Sequence, residues 1–213
     1  MPLMWPYSPT KTAKNASAAR LGIQSPHTER KIVSLFTYKK FFAMSQKPII
    51  SFATCDLCDA FKNDTTGSFR VLPPVFRNFG GIGKFCGAVV TVKCFEDNSA
   101  VKAAVDTPGN ARVLVVDGGA SLRRALLGGN LAASAVKNGW AGVVIDGCVR
   151  DVTELSRCAM GIRALASMPL PTEKRQLGET GVAVQIQGVW VRPGDWLYAD
   201  EDGMVVMPTA FQA

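Results

Sequence analysis

Two short stretches of the sequence carry groups that could bind a small anionic substrate. Arg150 and Asp151 follow the apolar run 142–145, and the segment 128–131 (Gly-Gly-Asn-Leu) lies ahead of that run. An arginine beside an aspartate offers a fixed cation for a carboxylate or an enolate, and a hard oxygen ligand for a divalent ion. A helix that begins after two glycines presents unpaired N–H groups to an anion, and the glycines allow close backbone approach. The two stretches therefore predict one binding site for a short carboxylate.

Each of these residues also has a purely structural interpretation. Asp151 and Glu154, three positions apart, match a capping box at the start of a helix, which needs no metal. Arg150 could form a surface ion pair, and the glycines at 128 and 129 could simply end a helix. The residues taken alone leave both interpretations open.

The two stretches need a scaffold that brings them to the same edge of a sheet. The apolar runs 112–116 and 142–145 are strand-like, and each is followed by Asp-Gly. Helix-forming residues over 121–135 lie between them, so the pattern predicts a βαβ unit with parallel strands. Ligands of open α/β sheets bind outside the carboxyl ends of such strands, which is where Arg150 and Asp151 lie.

The helical crossover is interrupted by its two glycines. Gly128 and Gly129 should stop the first helical run, and Asn130 can cap a second helix over 131–137. After Asp151, a further helix should start at Val152.

The segments before and after this unit are predicted to belong to the same α/β domain. The pattern predicts a helix over 54–61 capped by Thr54, a strand over 88–94, and short β segments with hairpin turns over 182–207. The glycine-rich segment 80–84 lacks the spacing of a phosphate-binding loop, and a strand rather than a helix follows it.

The positive charge of the chain is concentrated at its N-terminus. Of the formal net charge of +7, residues 1–46 contribute +6 and residues 47–213 only +1. The first segment is interpreted as a basic leader or disordered arm: residues 1–43 have the composition of a transit peptide, and Met44 is an alternative start. We expect a cytoplasmic protein, or a mitochondrial one if the arm is a transit peptide. The near-neutral remainder, interpreted as one domain, argues against direct nucleic-acid binding.

Cysteine and histidine usage excludes several chemistries. The six cysteines are expected to be reduced thiols, with the pair Cys55 and Cys58 as small core-facing residues or, alternatively, a metal or redox pair. The single histidine, His27, lies in the N-terminal arm, which argues against a Ser-His-Asp or Cys-His relay. No apolar run reaches the roughly 18 residues of a membrane span.

Six stretches of the sequence resemble a known family. The stretches CDLCDAF, NFGG, TVKCFEDN, RVLVVDGGASLRRALLGGN, NGWAGVVIDGCVRD and YADEDG are similar to the regulator of ribonuclease activity A family, which includes the class II 4-hydroxy-4-methyl-2-oxoglutarate aldolases. The resemblance covers residues 50–208. It implies an α/β fold, a three-layer swivelling β/β/α single domain, assembled as a homotrimer with sites between subunits.

The resemblance also implies roles for the residues singled out above. By analogy with the aldolases of the family, Arg150 would contact the substrate and Asp151 would hold a divalent metal, most commonly Mg²⁺. The pyruvyl carboxylate would be bound by the helix start, which here comprises Gly128, Gly129, Asn130 and Leu131. Bacterial aldolases with an Asp at position 129 differ from this chain. Other members combine Gly129 with an acid at position 154, as this sequence does with Glu154.

The expected activity is that of a lyase acting on short 2-keto acids. Cleavage of 4-hydroxy-4-methyl-2-oxoglutarate to two pyruvates and decarboxylation of oxaloacetate would share one pyruvate enolate. The residues do not decide which group is the general base. Glu154 is one candidate, and Asp200, Glu201 and Asp202 of a neighbouring subunit are the others. A lysine Schiff base is disfavoured because no lysine can be placed beside Arg150 from the sequence.

A function of a different class competes with catalysis. The family also contains proteins that bind a ribonuclease or an RNA helicase and do no chemistry, and fold alone does not decide between them. The presence of Asp151 favours the enzyme.

Overall fold

The apolar runs in the middle of the sequence pair side by side at the centre of a sheet. In the computed structural model, which describes residues 51–212, strand β3 (Phe85–Lys93) pairs in parallel with β4 (Val113–Leu127), β4 with β5 (Gly142–Val149), and β5 with β6 (Gly161–Ser167). The parallel pairing of β4 and β5 confirms the βαβ prediction. Every residue of β5 is buried, as expected for a strand covered on both faces. The predicted arm over 1–46, and His27 within it, lie outside the described residues.

Antiparallel strands extend the sheet on both sides. The remaining strands are β1 (Arg70–Val71), β2 (Arg77–Asn78), β7 (Glu179–Thr180), β8 (Val184–Ile186), β9 (Val189–Val191), β10 (Trp196–Ala199) and β11 (Met204–Met207). The order of the sheet's main path is β1-β11-β10-β3-β4-β5-β6-β2, β7 pairs with β3, and β8 and β9 form a separate hairpin. Strands β8 to β11 confirm the short β segments predicted over 182–207.

Four helices lie within the described residues: α1 (Thr54–Phe61), α2 (Ser99–Val105), α3 (Gly129–Lys137) and α4 (Val152–Leu155). The predicted bounds of α1 and the start of α4 at Val152 are confirmed. None of these four helices has the length and apolar character to cross a membrane.

The prediction of helix over 121–135 is wrong in its first half. Strand β4 continues through Leu127, and its register with β5 shifts at three places between Asp117 and Leu127. Two consecutive residues with positive φ, Gly119 and Ala120, begin this irregular part. Pairing along β5 therefore overrides the helical propensity of the local sequence, and the bulges re-aim the strand toward its end.

The cap predicted for α3 is also wrong by two residues. Gly128, not Asn130, is the N-cap, with an extended backbone at φ −135°, and its carbonyl accepts the first helical bond from the Ala132 N–H at 3.0 Å. The helix consequently starts at Gly129, and Asn130 lies within its first turn.

Side chains alternate between two hydrophobic clusters on opposite faces of the sheet. Leu114 and Val143 belong to the cluster covered by α2 and α3, whereas Val113 and Val144 belong to the cluster covered by the β8–β9 hairpin and β11. Because successive residues of a strand point to opposite faces, this alternation defines a helical layer, a central sheet and a second β layer. The α/β three-layer single domain predicted from the resemblance is confirmed.

Helix α1 is attached to the sheet by a buried carboxylate. Thr54 does not cap α1 as predicted; Ala53 is the N-cap, and Thr54 donates its N–H and hydroxyl to Asp200 at 2.7 and 2.6 Å. Asp200 is 4% exposed and also accepts the N–H groups of Asp202 and Gly203. Burial alone would raise the pKa of Asp200, but these hydrogen bonds outweigh it and hold the pKa below its usual value.

We expect Asp200→Asn to lower the free energy of unfolding at pH 7 by about 1–3 kcal/mol, because buried donors of Thr54 lose their charged acceptor. Since the folded-state pKa of Asp200 is depressed, its contribution is present above the unfolded value of about 3.9 and is lost as pH falls through the folded-state pKa. The difference from wild type should therefore shrink below about pH 4. Urea unfolding at several pH values measures it, with the exposed Asp59→Asn as control. Equal stability of the two variants at pH 7 would contradict this role.

Candidate functional site

The two chemistry-bearing stretches meet at the carboxyl ends of neighbouring parallel strands. Strand β4 ends at Leu127 and β5 at Val149, and these two residues are register partners. The Arg150 N–H donates to the Leu127 carbonyl at 2.9 Å, so the chain leaving β5 is bonded beside the chain entering α3. The sheet thus brings Gly128 next to Arg150, as the sequence predicts.

Asp151 links the end of β5 to the start of α3. Its Oδ2 accepts the backbone N–H of Gly129 at 3.0 Å, and the Arg150 Nε lies 3.5 Å from the same oxygen. Asp151 has a left-handed backbone, φ 60° and ψ 42°, and such conformations of non-glycine residues concentrate at functional sites. Although Asp151 is the N-cap of α4, its side chain makes no capping bond to α4. The capping-box interpretation with Glu154 is therefore wrong.

Side chains approach both glycines of this helix start closely. A Cβ at position 128 would lie 2.6 Å from Asp151 Oδ2 and 3.0 Å from Arg150 Nε, and one at position 129 would overlap Glu154 Oε2. Glu154 thus packs directly against Gly129. A glycine at position 129 therefore goes together with Glu154 for a physical reason: an Asp at position 129 would need the space that the Glu154 side chain occupies.

A cavity of about 270 Å³ opens at this junction. Five of the predicted site residues line it: Gly128, Asn130, Leu131, Arg150 and Asp151. The side chains of Arg150 and Asp151 are 39% and 37% exposed, so both are accessible to a ligand. Gly129 and Glu154 are not among the residues that line the cavity; the exposed Glu154 side chain lies against Gly129, next to two of them, Gly128 and Asn130. Residues that the sequence did not point to complete the wall: Asn98, Lys102, Ala125, Pro171, Thr172 and Lys174.

Two lysines, Lys102 and Lys174, lie in the same cavity wall as Arg150, so the expectation that no lysine lies near Arg150 is wrong. Lys102 is ion-paired with Asp106 one helical turn away, whereas Lys174 comes from the irregular segment between β6 and β7. A segment without periodicity carries no pattern from which its position could be inferred.

Asp97 fixes that irregular segment. It is fully buried and accepts the backbone N–H groups of Ser99, Arg175 and Leu177 at 2.7, 2.6 and 3.2 Å. Burial alone would raise the pKa of Asp97, but the hydrogen bonds from Ser99 and from the two N–H groups of the segment outweigh it and lower the pKa to about 2. The segment that carries the second lysine is therefore held by a permanently ionised carboxylate at neutral pH.

The acids predicted as alternative bases lie elsewhere in the chain. The Asp200 carboxylate is bonded to Thr54, and Glu201 and Asp202 line a separate cavity of about 220 Å³ with Arg163. None of the three lines the Arg150 cavity within this chain. Their contribution from a neighbouring subunit stays a prediction.

Asp151 can serve as the protein ligand of a divalent metal. Its Oδ2 is used by Gly129, and no hydrogen bond to its Oδ1 occurs among residues 51–212. No group of three or more His, Cys, Asp or Glu in this range could hold an ion together. A single half-exposed carboxylate suits Mg²⁺, which keeps several waters and is bound through one or two carboxylates, better than Zn²⁺.

Cys55 and Cys58 show no sign of forming a metal centre or a redox pair. All six cysteines are free thiols; Cys55 is exposed and Cys58 half-buried. The interpretation of Cys55 as core-facing is therefore wrong, because the first turn of α1 turns it to solvent. The Asp202 side chain, to which Cys55 is hydrogen-bonded, raises the pKa of the Cys55 thiol, which keeps it protonated.

We expect Gly129→Ala to lower the free energy of unfolding by up to about 1 kcal/mol, because the new methyl group must displace the exposed end of the Glu154 side chain. Adding Glu154→Ala should restore most of this loss. Thermal and urea unfolding of both single variants and the double variant measure the coupling, with Gly203→Ala, which faces open space, as control. Additive effects in the double variant would show that the two residues do not share this space.

Comparisons with known proteins agree on one family. The model of the RraA-like family, described as Aldolase/RraA, matches residues 54–206. A relative from Albidiferax ferrireducens, named "Putative 4-hydroxy-4-methyl-2-oxoglutarate aldolase", is 74% identical over 164 residues, which cover 73% of this chain and 95% of the relative. A relative of the same name from Burkholderia multivorans is 52% identical, with 76% and 99% covered.

Two solved structures extend the comparison. The RNA-processing inhibitor RraA from Thermus thermophilis is 44% identical with a TM-score of 0.72, covering 77% of this chain and 97% of its own. A structure from Geobacillus kaustophilus, titled S-adenosylmethionine: 2-dimethylmenaquinone methyltransferase, is 40% identical with a TM-score of 0.70, covering 75% and 97%. Similar proteins of this fold thus carry names from three different functional classes.

Proposed function

This chain belongs to the RraA-like family, and from that premise we propose that it is a divalent-metal-dependent carbon–carbon lyase. Its substrate would be 4-hydroxy-4-methyl-2-oxoglutarate, cleaved to two pyruvates, with oxaloacetate decarboxylation at the same site. The observation that carries the proposal is the single cavity shared by Arg150, Asp151 and the start of α3. The names of the most similar relatives support the same activity.

The start of α3 supplies the binding site for the carboxylate of a 2-keto acid. The first N–H groups of a helix have no partner within it, and the N-terminus carries partial positive charge. Gly129 gives its N–H to Asp151, which leaves those of Asn130 and Leu131, both on the cavity wall. A carboxylate bound here would be orientated with its keto group toward Arg150.

Arg150 stabilises charge on the keto oxygen. Its guanidinium lies in the cavity and is steered by Asp151 Oδ2, and its backbone is bonded to Leu127. Cleavage of the bond between C3 and C4 moves an electron pair onto the keto oxygen, and a donor already in place lowers the energy of that state. Arg150 is therefore assigned to the transition state rather than only to binding.

Asp151 is the proposed ligand of the metal, through the oxygen that Gly129 does not use. Mg²⁺ bound there would act as a Lewis acid toward the substrate oxygens. Residues 128–131 and Arg150 would hold the substrate beside it. Asp151 Oδ2 thus accepts the Gly129 N–H at the start of α3, and Oδ1 would bind the metal.

The two reactions share the same bond changes at the pyruvyl half. In the aldol cleavage a base takes the proton of the C4 hydroxyl, the C3–C4 bond breaks, and the enolate of one pyruvate forms while C4 becomes the keto carbon of the other. In the decarboxylation, CO₂ leaves oxaloacetate and the same enolate forms. Protonation at C3 completes both. Glu154 is the candidate base within this chain, and Asp200, Glu201 and Asp202 are candidates from a neighbouring subunit of the proposed homotrimer.

A second candidate function is binding to a ribonuclease or an RNA helicase. The name of the Thermus relative, an RNA-processing inhibitor, favours it. The aldolase is preferred because Asp151 is present and lies in an accessible cavity with Arg150. A cytoplasmic location accompanies the proposal, since the relatives are bacterial proteins and the mitochondrial alternative rests on residues outside the described part.

We expect Asp151→Ala to reduce pyruvate release from both substrates at least about 100-fold, because it removes the metal ligand and the bond to Gly129. EDTA should abolish the wild-type reaction and Mg²⁺ should restore it. Coupled lactate dehydrogenase assays measure release, and Asp59→Asn should behave as wild type. Undiminished turnover in EDTA, or a pyruvate adduct on a lysine trapped by borohydride, would contradict the proposal.

A further inference from the structure

The cavity of Arg150 continues past the part that a pyruvyl group would fill. A second cavity, of about 330 Å³, shares three of its lining residues with the first: Asn98, Lys102 and Lys174. The proposed substrate is longer than pyruvate and carries, on C4, a hydroxyl and a second carboxylate. These groups need partners of their own beyond residues 128–131.

Lys174 is the cation best placed to bind that second carboxylate. Lys102 is engaged by Asp106, whereas Lys174 has neither an ion pair nor a hydrogen bond with any residue of the described range 51–212. An ammonium group on a cavity wall attracts anions, and a carboxylate gains most from a cation that has no other partner.

Two buried polar atoms on the same wall lack partners. Within residues 51–212, the buried side-chain oxygens without a hydrogen bond are Asn98 Oδ1 and Thr172 Oγ1, and both residues line the Arg150 cavity. Leaving a buried polar atom unsatisfied is costly, so each of these atoms needs a partner, which a bound ligand or a water can supply. An amide oxygen can accept from a hydroxyl, and a threonine hydroxyl can donate to a carboxylate.

These groups are held rigidly on two adjoining segments. Asp97, next to Asn98, accepts the backbone N–H of Arg175, next to Lys174, and the Gln176 N–H donates to Ser99 Oγ at 3.3 Å. The separation between the two walls is therefore fixed before a ligand arrives, which limits the entropy lost on binding.

We propose that Lys174 and Thr172 bind the C4 carboxylate of the substrate and that Asn98 Oδ1 accepts its C4 hydroxyl. This inference rests on the proposed function and assigns the residues that distinguish substrates with a second carboxylate from those without one. Lys174 acts in binding and not as a Schiff-base nucleophile.

The test compares Lys174→Met and Lys174→Arg with the exposed control Lys137→Met. Each is assayed on 4-hydroxy-4-methyl-2-oxoglutarate, on 4-hydroxy-4-methyl-2-oxopentanoate, which has a methyl group in place of the C4 carboxylate, and for exchange of the pyruvate C3 protons in D₂O, followed by NMR. Lys174→Met should lower kcat/KM for the first substrate about tenfold, mainly through KM, because one charged hydrogen bond is lost. The second substrate and the exchange should be unaffected, and Lys174→Arg should retain most activity.

Several results would overturn the inference. An unchanged KM for 4-hydroxy-4-methyl-2-oxoglutarate in Lys174→Met shows that Lys174 does not bind its carboxylate. Loss of pyruvate exchange in the same variant places Lys174 at the pyruvyl half, and a pyruvate adduct on Lys174 trapped by borohydride makes it a nucleophile. If the wild type itself neither cleaves the substrate nor exchanges pyruvate protons, the proposed function is wrong as well.

Discussion

The hydrogen bond from the Gly129 N–H to Asp151 Oδ2 is the constraint on which the rest of the site depends. It joins the first residue of α3 to the residue that follows β5, and it is 3.0 Å long. Asp151 has a left-handed backbone, and a Cβ at position 128 would lie 2.6 Å from its Oδ2, so that side chain would have to move. The bond uses Oδ2, and Oδ1 has no hydrogen bond within residues 51–212; the Arg150 Nε lies 3.5 Å from Oδ2. One contact thereby sets the helix start, the guanidinium and the proposed metal ligand relative to each other.

The charges of the site are local and do not follow from the overall charge. The net charge of +7 lies almost wholly in residues 1–46, and the remainder carries +1. Three cations nevertheless line the cavity, Arg150, Lys102 and Lys174, with Asp151 as its acid. A dianionic 2-keto acid would fit this distribution, with one carboxylate at the helix start and the other at the proposed Lys174 site. Short-range pairing, and not long-range attraction, accounts for the expected selectivity.

The sequence predicts the parts of this fold that local pattern determines. The bounds of α1, the parallel pairing of β4 and β5, and the β segments of the tail follow from periodicity and turn residues. The pattern does not predict that β4 continues to Leu127, because pairing with β5 overrides helix propensity there. The place of Arg150 and Asp151 at the end of β5 follows from the pattern, whereas the place of Lys174 in the same cavity wall does not. Its position depends on Asp97, a bond across 78 residues that no local pattern reveals.

A crystal structure of the protein with Mg²⁺ and pyruvate would show whether Asp151 and the start of α3 form one site. We expect the ion to be bonded to Asp151 at about 2.0–2.1 Å. The pyruvate carboxylate should lie on the N–H groups of Asn130 and Leu131, with the keto oxygen beside Arg150. An ion bound at another group of residues, or pyruvate joined covalently to Lys174, would contradict it.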